Sequence, residues 1–182
     1  SHMGYVLLGI ATLHPLGLSG AVMQMFSHGI MTALFFAVVG VIYERTHTRD
    51  ITVLDGLAKK MGITATFFII AGLASLGLPG LSGFVAELLV FLGLFQTYPV
   101  IGVLGIIGAG ITAVYILRLL TKVLFGPLGD MWQDQTDANR LQTFSSAVLA
   151  VFVIVVGVFP FPWIRVINTG VGELLSRFPG TS

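Results

Sequence analysis

The feature that most constrains this chain is a series of apolar stretches long enough to cross a lipid bilayer. A crossing helix needs about 20 mostly apolar residues. Stretches of that length occur at residues 19–43, 99–124 and 143–163, with a longer one at 61–97. Only 9% of the residues are charged, against roughly 25% in an average soluble domain. We therefore expect an all-α, multi-pass transmembrane helix bundle, formed as a single domain by residues 1–182.

The charge balance and the cysteine count exclude several classes of function. The net charge of +1 leaves no basic surface that could neutralise nucleic-acid phosphates. The chain has no cysteine, so it offers no thiolate ligand for zinc or an iron–sulfur cluster, and any redox centre is expected in another chain. The four histidines are scattered and no dinucleotide-binding fingerprint occurs. We therefore expect no metal site and no cofactor-binding site in this chain.

The two ends of the chain differ from its spanning stretches. Residues 1–12 predict a partial helix, about half of the length that a crossing needs, and the features of a signal peptide are missing there. Ser1–Met3 are either the remnant of an affinity tag or native sequence. The last span ends near Trp163, which suits the membrane interface. Residues 164–182 are expected to form a short amphipathic helix.

The stretch 61–97 contains residues that end helices. Residues 77–83, with the sequence GLPGLSG, include Pro79, Gly80 and Gly83 and predict a helix break. Two arrangements remain open: two short antiparallel spans, or one crossing made of two half-helices. The positive-inside rule favours the single broken crossing, because it places the basic residues of both loops, 44–60 and 125–142, in the cytoplasm.

Glu87 is the one charged residue of the stretch 61–97, and it follows the break closely. Ionisable residues inside membranes are costly and mark ion pathways or functional pairs by default. Unwound backbone at membrane depth is tolerated only where it lines a cavity or packs in protein. We therefore predict that Glu87 lies beside a hydrated cavity and exchanges protons. In the alternative, Glu87 pairs with an arginine or lysine and only fixes helix packing.

His28 forms a polar stripe with Gln24 and Thr32, because the three residues follow each other at helical steps of four. This stripe is expected to face protein or water. Histidine changes charge near neutral pH, so His28 is a candidate proton-relay residue. In the alternative, a neutral His28 only donates a hydrogen bond between helices.

A second polar face lies on the span 99–124, where Thr112, Tyr115, Arg118 and Lys122 share one side of a helix. Arg118 and Lys122 are candidates for relay or helix-pairing residues. Both are near the predicted cytoplasmic end, where long cationic side chains also reach the lipid headgroups at little cost.

Five segments in order make the chain resemble a known family. They are SHMGYVLL at residues 1–8, QMFSHG at 24–29, YERTHTR at 43–49, GLPG at 77–80 and GFVAE at 83–87. This ordered set resembles the chain M (subunit 4) family of the proton-translocating NADH-quinone oxidoreductase, respiratory complex I. The resemblance covers essentially the whole chain but only the C-terminal third or so of a family member, so the chain looks like a fragment. It also favours native sequence at Ser1–Met3.

The resemblance implies a role for each candidate residue. It identifies residues 61–97 as the family's discontinuous helix, Glu87 as its terminal proton-relay acid, and His28 and His2 as relay histidines. It implies other membrane-arm subunits as partners, with NADH, flavin, iron–sulfur clusters and quinone bound by those subunits. The expected location is the bacterial cell (inner) membrane, or the thylakoid membrane. The family's upstream broken helix and its membrane lysines have no counterpart in this sequence.

Two other functions compete with this one at the level of sequence. The same fold serves in subunits of multisubunit cation/proton antiporters, which exchange ions without a redox partner. A structural membrane anchor would use its buried charges only to hold helices together.

Overall fold

The computed structural model describes residues 1–177, and these form seven α-helices and two short 3₁₀ turns. The all-α expectation is confirmed. Three helices, α2, α5 and α6, are long and apolar enough to cross a membrane, while α1, α3 and α4 are shorter apolar helices. The helices are α1 (His2–Ala11), α2 (Pro15–Thr46), α3 (Gly62–Ser75), α4 (Ser82–Thr97), α5 (Pro99–Leu124), α6 (Arg140–Val158) and α7 (Phe161–Ser176).

The helix ends differ from the predicted stretches where capping decides the boundary. α2 begins at Pro15, four residues before the apolar stretch, because Pro suits the first turn of a helix and the His14 ring accepts a hydrogen bond from the Leu16 amide. The predicted span 143–163 is divided between α6 and α7, since Pro160 and Pro162 interrupt helical hydrogen bonding. The expected tail helix corresponds to α7, which begins three residues before the predicted start. Residues 178–182 of the predicted segment lie outside the described residues.

α3 and α4 run in the same direction as each other and antiparallel to α2, as two halves of one interrupted helix. Each half packs against a different part of α2. As the residue numbers rise along α2, those of the contacting residues fall steadily through α4 and then α3. An antiparallel hairpin would reverse this order in one half, so the geometry is that of the single broken path. From the start of α2 onward the contacting pairs are Gly17 with Gly93, Gly20 with Val90, Ser27 with Ser82, and Phe35 with Phe68. Met23 and Ala86 belong to one core cluster between these pairs, and Met31 and Ala74 belong to another.

The break occupies residues 76–81 and contains two glycines with positive φ. Gly77 has φ +66° and Gly80 has φ +92°, values that only glycine adopts at little cost. Gly83, which the sequence places in the break, lies instead in the first turn of α4. A side chain at Gly83 would collide with the Ala74 carbonyl of α3, so this glycine lets the two half-helices approach each other.

Glycines also allow α1, α2 and α4 to approach closely. A Cβ atom at Gly20 would lie 2.5 Å from the Val90 amide nitrogen, and one at Gly93 would lie 2.5 Å from the Gly17 nitrogen. Helix association inside membranes relies on such small-residue contacts, because lipid removes the hydrophobic driving force. Gly157 of α6 lies against the backbone of Gly80 and Leu81 in the same way, so α6 covers the break.

The loops at one end of the bundle are joined by hydrogen bonds. The Trp132 indole donates to the Val53 carbonyl (3.0 Å), and the Gly129 amide donates to Asp55 (3.1 Å). These contacts fix the loop after α5 against the loop after α2, at the end of the bundle where α3 begins.

Asp137, in the loop before α6, caps the first turn of α3. Its carboxylate accepts hydrogen bonds from the Ile63 amide (2.7 Å), the Thr64 amide (3.1 Å), the Thr64 hydroxyl (2.6 Å) and the Ala138 amide (2.7 Å). Burial alone would raise the pKa of Asp137, but the hydrogen bonds from Thr64, Ala138 and Ile63 outweigh burial and hold the pKa below its ordinary value of 3.8. A loop residue thus satisfies amides at a helix start.

We expect Gly20→Ala to destabilise the bundle and Gly40→Ala to leave it unchanged or slightly more stable. Both glycines lie on α2, but a Cβ atom meets nothing within 4 Å at Gly40. Alanine favours a helix over glycine by about 1 kcal/mol at either site, whereas overpacking at Gly20 costs about 1–3 kcal/mol. The midpoints of thermal unfolding, measured in one detergent, test the difference. Equal midpoints would contradict the packing described for α2 and α4.

Asp137→Asn should lower the free energy of unfolding by about 0.5–2 kcal/mol, the range for helix caps, while the exposed Asp134→Asn should not. Because the pKa of Asp137 is lowered in the folded state, its contribution is complete above the ordinary pKa and is lost as the pH falls through the lowered one. Unfolding of both variants and of the wild type at pH 7 and at several pH values below 3.8 measures this. A deficit in Asp137→Asn that persists unchanged in acid would argue against the charged cap.

Candidate functional site

The structure brings the two candidate relay histidines together. His2 is the first residue of α1 and His28 lies in the middle of α2, and their ring centroids are 5.2 Å apart. The Thr32 hydroxyl, one turn beyond His28, lies 3.2 Å from His28 Nδ1. The polar stripe predicted on α2 therefore faces the protein at this point, as expected.

His2 also contacts the end of the first half-helix. Its Nε2–H donates a hydrogen bond to the Ser75 carbonyl (3.2 Å), and Ser75 is the last residue of α3. The final carbonyls of a helix have no partner within the helix, and they attract positive charge through the helix dipole. The break thus supplies an acceptor that a continuous helix would not offer.

A cavity of about 510 Å³ opens beside the histidine pair. Its polar lining comes from His2, His28, Thr32, Ser75 and Tyr115, and the rest of its wall is apolar. A space of this size with several polar partners can hold ordered water. Tyr115 thus belongs to the site, as its position on the polar face of α5 indicates.

Glu87 lies at the same break, on the side of the second half-helix. It is on α4, only 8% of its surface is exposed, and its carboxylate lies directly against the α-carbon of Gly77. Helical side chains point toward the N-terminus of their helix, which explains how Glu87 reaches back to the turn. A side chain at Gly77 would occupy the position of the carboxylate.

Two further polar atoms are buried in the bundle. The Tyr5 hydroxyl and the Gln24 side-chain carbonyl have no hydrogen-bond partner among residues 1–177. Gln24 is 1% exposed and Tyr5 is 4% exposed. Buried polar groups without a protein partner are commonly satisfied by water.

Arg118 and Lys122 do not join this group. Both are exposed on α5, whereas Thr112 on the same predicted face is buried and its hydroxyl lies 2.8 Å from that of Ser1. Within the described part of the chain, the one ion pair between side chains joins Arg45 and Glu44. Among those residues, no arginine or lysine pairs with Glu87, as the alternative interpretation of Glu87 would require.

Sequence reasoning missed Tyr5 and Ser75 as members of the site. Tyr5 follows His2 by three residues, which places both on one side of α1. This spacing could have identified Tyr5 as a neighbour of His2 from the sequence. Ser75 contributes through its backbone, which no side-chain pattern indicates. Among residues 1–177, no three histidine, aspartate or glutamate side chains gather as metal ligands would.

Comparison with known proteins identifies relatives of the whole chain. A sequence model of the family described as "NADH:quinone oxidoreductase/Mrp antiporter, TM" matches residues 1–112. The NADH-quinone oxidoreductase subunit M of Rickettsia prowazekii is 39% identical over 179 residues, 98% of this chain and 36% of that protein. The NAD(P)H-quinone oxidoreductase chain 4 1 of Synechococcus elongatus is 43% identical over 169 residues, 88% of this chain and 31% of that protein.

A solved structure has the same fold. A chain of the respiratory complex I from Thermus thermophilus with bound NADH superposes with a TM-score of 0.90 and 31% identity, over 99% of this chain and 38% of that one. The chain spans about a third of the length of the curated relatives that it matches. With a family match over more than half of its residues, the chain belongs to the NADH:quinone oxidoreductase/Mrp antiporter transmembrane family.

Proposed function

We propose that this chain is part of a membrane-arm subunit of NADH-quinone oxidoreductase and carries protons through Glu87, His28 and His2. The single observation that carries the proposal is the arrangement around the break. The buried Glu87 carboxylate lies against Gly77, and the His2–His28 pair is bonded to Ser75 on the other side of the same turn. Two histidines and a carboxylic acid thus lie around the same interruption of the helix.

In the proposed mechanism, quinone reduction elsewhere in the complex moves charge along the polar interior. A charge that arrives or leaves within several Å changes the proton affinity of a buried group. Each proton moved against ~100 mV costs about 2.3 kcal/mol, so the change in affinity at Glu87 must be at least of that order. The two imidazoles and the carboxylate then take up and release protons in turn, through water in the cavity beside His2 and His28.

The proposed topology places the loops 44–60 and 125–142 in the cytoplasm. Arg45, Arg49, Lys59 and Lys60 lie in the first loop and Arg140 in the second, and the positive-inside rule supports this orientation. α2, α5 and α6 would each cross the membrane, and α3 and α4 would together make one crossing. The membrane is the bacterial inner membrane or, for the photosynthetic form of the complex, the thylakoid membrane.

The proposed partners are the other membrane-arm subunits of the complex. The redox reaction would take place in other chains, which would bind NADH, flavin, iron–sulfur clusters and quinone. The matched family also includes Mrp antiporters, so a subunit of a cation/proton antiporter is the second candidate. The neighbouring genes distinguish the two, since they would encode either quinone-site subunits or small antiporter subunits.

Glu87→Gln should abolish proton translocation in the intact complex while the complex still assembles, because an amide cannot take up and release a proton at this position. The matched control is Glu173→Gln, at an exposed position of α7. The ratio of protons translocated to quinone reduced, measured in sealed membrane vesicles, tests this. Unimpaired translocation in Glu87→Gln would reject the relay, and a loss of assembled complex alone would indicate a structural anchor.

Gly77→Ala should impair translocation much more than Gly80→Ala. Both glycines have positive φ, so alanine strains the backbone by roughly 1 kcal/mol or more at either site. Only at Gly77 does the added methyl group meet the Glu87 carboxylate, because a Cβ atom at Gly80 meets nothing within 4 Å. Translocation rates per assembled complex compare the pair. Equal impairment would mean that backbone strain, not the position of Glu87, explains the loss.

A further inference from the structure

The Tyr5 hydroxyl is a buried polar group that the proposed relay does not use. It has no hydrogen-bond partner among residues 1–177, and only 4% of the residue is exposed. A hydroxyl that is buried without a partner is unfavourable, because it loses its hydrogen bonds to water. A partner other than the described protein atoms would remove this penalty.

The ring of Tyr5 does not need its hydroxyl for packing. It meets the Phe91 ring edge to face at a centroid distance of 5.6 Å, and it belongs to an apolar cluster with Val90 and Leu94. Phenylalanine would make the same contacts. The hydroxyl therefore has a separate purpose, and a water molecule is the partner that a buried polar site usually holds.

Tyr5 lies next to both parts of the candidate site. The Tyr5 ring is 6.3 Å from the His2 ring. It also packs against Val90, which follows Glu87 by three residues on α4. Tyr5 is thus close both to the histidine pair and to the turn of α4 that begins at the acid.

We propose that the Tyr5 hydroxyl, with one water molecule on each side, links the His2–His28 pair to Glu87 by hydrogen bonds. The proposal rests on the proposed function and adds a residue to it. A hydroxyl donates one hydrogen bond and accepts others at the same time. A proton released by the histidine pair passes to the first water molecule, which gives one of its own protons to the Tyr5 oxygen. As that O–H bond forms, the original O–H bond breaks and its proton goes to a second water molecule, which gives one of its own protons to the Glu87 carboxylate, so Tyr5 and both water molecules end neutral as they began.

Tyr5→Phe in the assembled complex tests this link, with Tyr98→Phe at an exposed position as the matched control. We expect Tyr5→Phe to slow proton translocation per assembled complex by about fivefold or more, which corresponds to one hydrogen bond of ~1 kcal/mol. The infrared C=O band of protonated Glu87, assigned by its absence in Glu87→Gln, should also shift in Tyr5→Phe. Tyr98→Phe should change neither.

A third variant, Tyr5→Leu, separates the hydroxyl from the ring. If the ring matters only for packing, Tyr5→Phe will match the wild type and Tyr5→Leu alone will be impaired, which overturns the link. An unshifted band and a wild-type rate in Tyr5→Phe also overturn it. If Glu87→Gln abolishes translocation while Tyr5→Phe does not, the relay stands and only the role of Tyr5 fails; if Glu87→Gln is fully active, the relay itself is rejected.

Discussion

Backbone groups released at the interruption of a helix must find partners inside the protein, because lipid offers none. Around residues 76–81 this requirement is met from several directions. His2 donates to the Ser75 carbonyl, the Gly77 amide donates to the Ala74 carbonyl (3.2 Å), and the Leu81 amide donates to the Leu78 carbonyl (3.1 Å). The contacts that stabilise the interruption are thus partly made by the side chains that are candidates for chemistry.

Much of this arrangement could be predicted from local sequence. Apolar length gave the helices, the GLPG segment gave the interruption, and a charged residue in an apolar stretch singled out Glu87. The spacing of Gln24, His28 and Thr32 placed His28 on an inward face. These inferences succeed because each depends on periodicity or on the cost of a polar group in lipid. Both can be judged from residues that are close together in the sequence.

The remaining features depend on contacts between residues far apart in the chain. Asp137 caps α3 from 73 residues away, although it stands in a hydrophilic run that reads only as a loop. Gly83 was assigned to the interruption by composition, but it lies in a helix because its role is to approach Ala74. Arg118 and Lys122 share a helical face with Thr112, yet they are exposed, while Leu120, Val123 and Leu124 of the same part of α5 are buried. Periodicity gives the residues that share a face of a helix but not which of them a neighbouring helix covers.

The position of Gly157 has a mechanical consequence. It lies next to the end of α6 and presses on the backbone of Gly80 and Leu81, and α7 follows after two residues. α7 is fastened to α2 by the stacked rings of Phe26 and Trp163, and by a hydrogen bond from Ser19 to Asn168. Any widening of the turn toward α6 would therefore have to displace the C-terminal helices as well.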